Sequence, residues 1–265
     1  MSWKRWSCMI MSKQLDNLLR QWTQSGAGFS AEPDGMTPDL ERLLLDTARH
    51  AHEMARLFIM AATWLHRYGD LIAKHRLKRL IREELEPEYR PVLGLLLDIA
   101  QQRTHPLEFQ SVLKTINPAE HPRPLFSIEA SNERLARRAQ RKASDISRRW
   151  NLWCSQIDFK NDAIRPAHWI MRRNSGLIIR GDLRGDLRAS VLASLRFDPG
   201  AGTSEVSLAE ASGGSRAQVR NALDNLELTG RVRRLPNQGE KRRRTAVELA
   251  RSPARSAHTN NQGLS

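Results

Sequence analysis

Apolar residues return at helical spacing along most of this chain, and the breaks between them predict its elements. Thr37-Pro38 reads as a helix start, with proline in the first turn. Leu40, Leu43, Leu44, Met54, Leu57, Phe58, Ala61 and Leu65 then keep a helical rhythm up to Gly69. Asp70 is placed to cap a further helix, LIAKHRLKRLIREEL, which stops before Pro87. PVLGLLLDIAQQR (91–103) and PLEFQSVLKTI (106–116) each begin on proline and continue helically. Residues 37–116 are thus predicted as a compact helical domain of about four helices.

The flanks read differently. KQLDNLLRQW predicts a short helix, but SGAGFSAEPDG follows it, so 1–36 is expected to be a flexible lead-in. NPAEHPRP (117–124) carries three prolines and is the expected domain boundary. Residues 117–181 then form a linker and mixed basic middle segment. Within it 132–150 is predicted as one helix, with seven Arg/Lys against two Asp/Glu over 133–150. WNLWCSQIDFKNDAIRPAHWIMRRN (150–174) suggests a strand followed by a loop. Helix returns at GDLRGDLRASVLASLRF (181–197), and 251–265 reads as a disordered tail. No internal repeat is expected.

The richest stretch is SLAEASGGSRAQVRNALDNLELTGRVRRL (207–235). Ser204 is a plausible N-cap for a helix to about 212, placing Leu208 and Ala209 inward. Gly213-Gly214 breaks it, since glycine accepts the left-handed conformation that a tight turn needs. Ser215 caps a second helix. Its Val219, Ala222, Leu223 and Leu226 lie at i, i+3, i+4 and i+7, a single apolar stripe ended by Gly230.

Ala209, Gly213 and Val219 stand at the spacing used by helix-turn-helix DNA-binding proteins, which this stretch resembles. Gly214 stands where that family usually has an apolar residue, a departure expected to loosen the turn. LELTGRVRRL, PNQGEKRRR and TAVELA then resemble the winged subclass of bacterial regulators: helix end, strand, basic tip and returning strand. The resemblance covers 182–250. It implies that the first residues of the second helix meet base edges and that the tip meets the DNA backbone. With the apolar stripe inward, Ala217, Arg220, Asn221 and Asp224 face outward, flanked by Arg216 and Gln218. Arg pairs with guanine and Asn or Gln with adenine in the major groove. The candidate DNA-binding residues are therefore Ser215, Arg216, Gln218, Arg220 and Asn221 on the helix, and Lys241, Arg242, Arg243 and Arg244 at the tip. Asp224 opposes close phosphate approach at its own end.

Charge agrees with this reading. Lys and Arg number 43 against 29 Asp and Glu, a net +14 with a pI near 10.8. That excess favours a polyanionic partner. From Gly213 to Arg251 alone, ten Lys/Arg face four Asp/Glu.

Other chemistry finds little support. Two cysteines, Cys8 and Cys154, cannot make a disulfide framework or a zinc site by themselves. His50, His52, His66 and His75 lack the companion spacing of a metal site. Gly176, Gly181 and Gly185 form no phosphate loop, because the lysine and the strand–loop–helix order are missing. No nucleophile–base motif stands out, so no enzyme is read and no cofactor is implied. Trp150, Trp153 and Trp169 are expected as core anchors. MSWKRWSCMIMSK has neither the long apolar run nor the cleavage site of a signal peptide, and translation from Met9 or Met11 is an alternative start. The longest apolar stretch (55–64) is about half the length that crosses a bilayer. A cytoplasmic setting follows by default.

The sequence therefore predicts a mainly α protein: an N-terminal helical domain plus a C-terminal winged helix-turn-helix with a small two-stranded wing. The expected function is sequence-specific, transcription-regulating binding of double-stranded DNA, as a homodimer. The N-terminal helical domain would serve dimerisation, sensing or a protein partner. The alternative is a protein-interaction subunit, such as an antitoxin-like autoregulator of a bacterial defence or toxin–antitoxin system.

Overall fold

The computed structural model describes residues 3–102, 108–236 and 245–250, with side chains from residue 13 onward except that of Pro236. Helices dominate it. In chain order they are α1 (Trp3–Gln24), α2 (Leu40–His50), α3 (Ala55–Tyr68), α4 (Lys74–Glu83), α5 (Arg90–Ala100) and the short α6 (Gln110–Leu113). A two-residue strand, β1 (Arg123–Pro124), precedes α7 (Ser127–Ala130), α8 (Glu133–Lys142) and α9 (Asp145–Arg149); β2 (Leu152–Trp153) pairs parallel to β1. Then come α10 (Ala167–Arg173), α11 (Ser175–Leu183), α12 (Leu187–Phe197), α13 (Glu205–Ser212) and α14 (Arg216–Leu228). An antiparallel pair, β3 (Val232–Pro236) and β4 (Thr245–Leu249), completes the order.

Apolar side chains gather into two cores. The larger runs from Leu18 to Leu177 and defines a body; the smaller runs from Val191 to Val247 and defines a C-terminal module. This corrects the expected boundaries. The segment 1–36 is not a loose lead-in: Leu18 and Trp22 of α1 are buried, and the Trp22 ring meets Trp64 edge-on at 5.6 Å. Its indole N–H donates to the Thr47 hydroxyl at 2.9 Å. Nor does NPAEHPRP divide the chain. Leu125, Ile146, Trp150, Leu152 and Cys154 share the core of α2 to α5. Trp150 fits because α5 has glycine at 94; a Cβ there would stand 2.3 Å from the indole. Burial pushes the Cys154 thiol up to about 12, leaving it protonated at neutral pH.

Local chemistry also moves several helix limits. Asp39, not Thr37, caps α2 by accepting the Arg42 N–H. The long rhythm of 37–69 is two helices, because the chain turns at 51–54. Asp70 lies in a 3-10 turn (Gly69–Leu71) and, among the described residues, caps no helix. The first turn of α4 is instead satisfied from outside: Glu41 accepts the Ala73 N–H at 2.8 Å, and Ser190 the Arg76 N–H at 3.3 Å. The helix expected over 132–150 breaks at Ala143, and Ser144 caps α9.

One short repeat is present where none was expected. Gly-Asp-Leu-Arg occurs twice in succession, and its copies do opposite work. The first ends α11, with Arg184 left-handed (φ 47°); in the second, Asp186 caps α12.

Body and module are joined by charge. The guanidinium of Arg76, on α4, is fully buried and bonded to Asp39 (2.6 and 2.8 Å), Glu41 (2.9 Å) and Asp198 (2.8 and 2.9 Å). Asp198 ends α12 and also pairs with Arg42 at 2.9 Å and Arg79 at 2.9 Å. Arg180 closes the network on Glu41. Burial opposes the Arg76 charge, but the hydrogen bonds it donates to Asp198 and Asp39 outweigh it and raise its pKa. Burial likewise works against ionised Asp39 and Asp198, yet Arg76 holds both below the ordinary carboxylate value.

Candidate nucleic-acid interface

The module is three helices and a hairpin. α13 begins at Ser204, whose hydroxyl accepts the Ser207 N–H at 3.0 Å, and ends where Gly213 turns left-handed (φ 76°). Ser215 starts α14 with a reciprocal capping box. Its hydroxyl accepts the Gln218 N–H at 3.3 Å, while the Gln218 carboxamide oxygen accepts the Ser215 N–H at 3.0 Å. Val219, Ala222, Leu223 and Leu226 are all buried and pack with Leu208, Ala209, Val232 and Val247.

Gly213 has no room for a side chain; a Cβ would stand 2.4 Å from the His75 carbonyl oxygen. Gly214 does not loosen the turn as expected. A Cβ there would meet Leu187 at 2.8 Å and Val219 at 3.1 Å. Leu187, from the start of α12, fills the space that a side chain at 214 would otherwise take.

On the solvent side of α14, Ser215, Arg216, Gln218, Arg220 and Asn221 are all exposed. They are not equivalent. Gln218 spends its carboxamide oxygen on the capping box, so its amino group is the free half. The Arg220 side chain is 67% exposed and lies 3.5 Å from Glu205, a loose pair of small energetic weight. Among the described residues none bonds or pairs with the side chains of Arg216 and Asn221. Lys241, Arg242, Arg243 and Arg244 lie outside the described residues.

Sequence reasoning missed Arg234. On β3 it pairs with Glu205 (3.2 Å), Asp224 (2.7 Å) and Glu227 (2.9 Å), and donates to the Arg220 carbonyl at 3.3 Å. It thereby ties the hairpin to α13 and α14 and neutralises Asp224, the acid expected to oppose phosphate. Alternation along β3 was the available signal: Arg234 shares the inward side with Val232, opposite Val247.

The four histidines weighed as metal ligands go separate ways. His50 meets Glu53 at 3.0 Å, His52 stacks on Tyr89, His66 stacks on Phe159, and His75 lies against the module. Among the described residues no group of three or more His, Cys, Asp or Glu is placed to hold a metal ion. No helix among them is long and apolar enough to cross a membrane. An open cleft of about 330 Å3 on the body is lined by His66, Asp70, Gln101, Glu108, Phe109 and Asn161, among others. Trp150 is a core anchor, whereas Trp153 and Trp169 are only half-buried; Arg173 stacks over Trp169 at 4.7 Å.

No protein-family model, curated protein or solved structure matches this chain.

Proposed function

We propose that this chain is a cytoplasmic, non-enzymatic, bacterial-type transcriptional regulator that binds double-stranded DNA sequence-specifically through a winged helix-turn-helix at 182–250. One observation carries the reading. A helix with its apolar stripe wholly buried presents Arg216, Arg220 and Asn221 to solvent directly after a tight glycine turn. Those are side chains whose donors and acceptors match base edges. The hairpin β3–β4 leads to the basic run 241–244, suited to phosphates. One such helix reads only a few base pairs, so a second copy is needed for a useful site.

Replacement of Arg220 and Asn221 by alanine tests the readout. The reading expects sequence preference to relax at particular positions, each by about 1–3 kcal/mol. Binding whose preference is unchanged in both variants would falsify the assignment.

A second reading is an antitoxin-like partner subunit. Leu228, at the end of α14, is 86% exposed, and Leu235 on β3 is exposed too. Such residues suit a protein contact, and co-purification of a stoichiometric partner from the native cell would favour it.

A further inference from the structure

The turn that introduces α14 is held between α4 of the body and the α11–α12 turn, and these segments carry charge of their own. Gly213 lies over the His75 carbonyl and the Arg79 side chain of α4. On the other side, Leu187 sits under Gly214, and just before it the chain passes α4 again: Gly185 abuts the Ile72 carbonyl, with the Lys74 side chain beside it. α4, the α11–α12 turn and the α13–α14 turn therefore meet at one corner.

Several cations at this corner are already engaged. Lys74 pairs with Glu108, and Arg79 with Glu83 and Asp198. Others are not. On α4, residues 75, 78, 79 and 82 share one face by helical spacing, so Lys78 and Arg82 flank the residues that touch Gly213. Lys78 is half-exposed, and among the described residues no carboxylate lies within ion-pair distance of it. Arg82 is exposed, and among the described residues its side chain pairs only with Glu83, itself shared with Arg79. Arg184 is exposed and, among the described residues, likewise has no carboxylate partner. Its left-handed backbone (φ 47°) is a conformation uncommon for a side chain of its size. Burial, then the Lys78 charge, holds the His75 imidazole below its ordinary value, so His75 is neutral at pH 7 and the positive charge here is that of Lys78, Arg82 and Arg184.

We propose that this corner, where α4 of the body meets the α11–α12 turn, is a second DNA-backbone contact. Lys78 and Arg184, seconded by Arg82, meet phosphates beside those approached by Arg216 at the start of α14. The inference rests on the DNA-binding reading and extends it. The body is then part of the binding surface itself, and its share of affinity is blind to sequence. The ion network around Arg76 keeps the corner in register with α14.

The test is the salt dependence of duplex binding by the full chain, with a Lys78→Gln/Arg184→Gly double variant. Glycine accepts the left-handed backbone at 184, so the second change does not strain the fold. Every phosphate left without its cation flattens the slope of log K against log salt by about 0.9. The double variant is expected to reduce the slope by about 1.8, with equal weakening on preferred and unrelated duplexes. Lys160→Gln, a charge removed from a segment away from the corner, should leave the slope as it is. An unchanged slope in the double variant, or an equal reduction per charge in Lys160→Gln, overturns the proposal. If the unaltered chain retains no duplex at all, it is the DNA-binding reading itself that has failed.

Discussion

Arg76 reaches no solvent, and carboxylates from Asp39, Glu41 and Asp198 surround its guanidinium. Removing it strands buried negative charge, which typically costs about 3–5 kcal/mol. Arg76→Ala should lose that much in urea unfolding; a loss below about 1 kcal/mol would show that the network is not sealed from water. The same residues set an acid dependence. Asp39 and Asp198 have folded-state values depressed below 3.8, so their contribution is complete above that pH and is lost as pH falls through the depressed values. Stability should drop below about pH 4, and Asp198→Asn should fall less steeply there than the unaltered chain. An equal acid slope in both would contradict the role given to Asp198. Gly213→Ala tests the close approach to α4. With φ at 76° and a Cβ placed 2.4 Å from a carbonyl oxygen, it should destabilise by more than the about 1 kcal/mol usual for an unfavourable left-handed residue. A neutral result would mean that the turn and α4 move apart freely.

At the scale of elements, the helices wrote themselves into the sequence more clearly than their ends did. The stripe of α14, its Ser215 cap and the turn at Gly213 follow from spacing and from glycine chemistry, and the structure has all three. The start of α4 was not legible, because its capping groups come from Glu41 and Ser190, far away in sequence. Arg76 could not be told from a solvated arginine, since nothing within KHRLKRLIREE marks the carboxylates waiting on α2 and α12. Leu187 shows a similar limit: a glycine at 214 looks like a defect until another helix fills the space. Arg234 joins β3 to α13 and α14 through three carboxylates, so Arg234→Ala should unfasten the hairpin. Faster amide exchange over 232–236 and 245–249, with α14 still protected, is the expected signature. Unchanged exchange would reduce Arg234 to a surface pair.

For the whole molecule, proline density was a poor guide to division. The chain passes through NPAEHPRP and returns to the same core, because β1 and β2 pair across the intervening α7–α9 stretch and Trp150 inserts against Gly94. The true break between cores falls after Leu177, where the body hands over to α12. The body and module then meet through an ion network, an arrangement suited to presenting α14 and the α4 corner as one rigid surface. The claim that this surface reads DNA is tested most directly by incubating the full chain with a random duplex pool and sequencing what it retains. A short inverted repeat with half-sites about one helical turn apart should be enriched, reflecting a two-fold dimer. A retained pool indistinguishable from the input would contradict it.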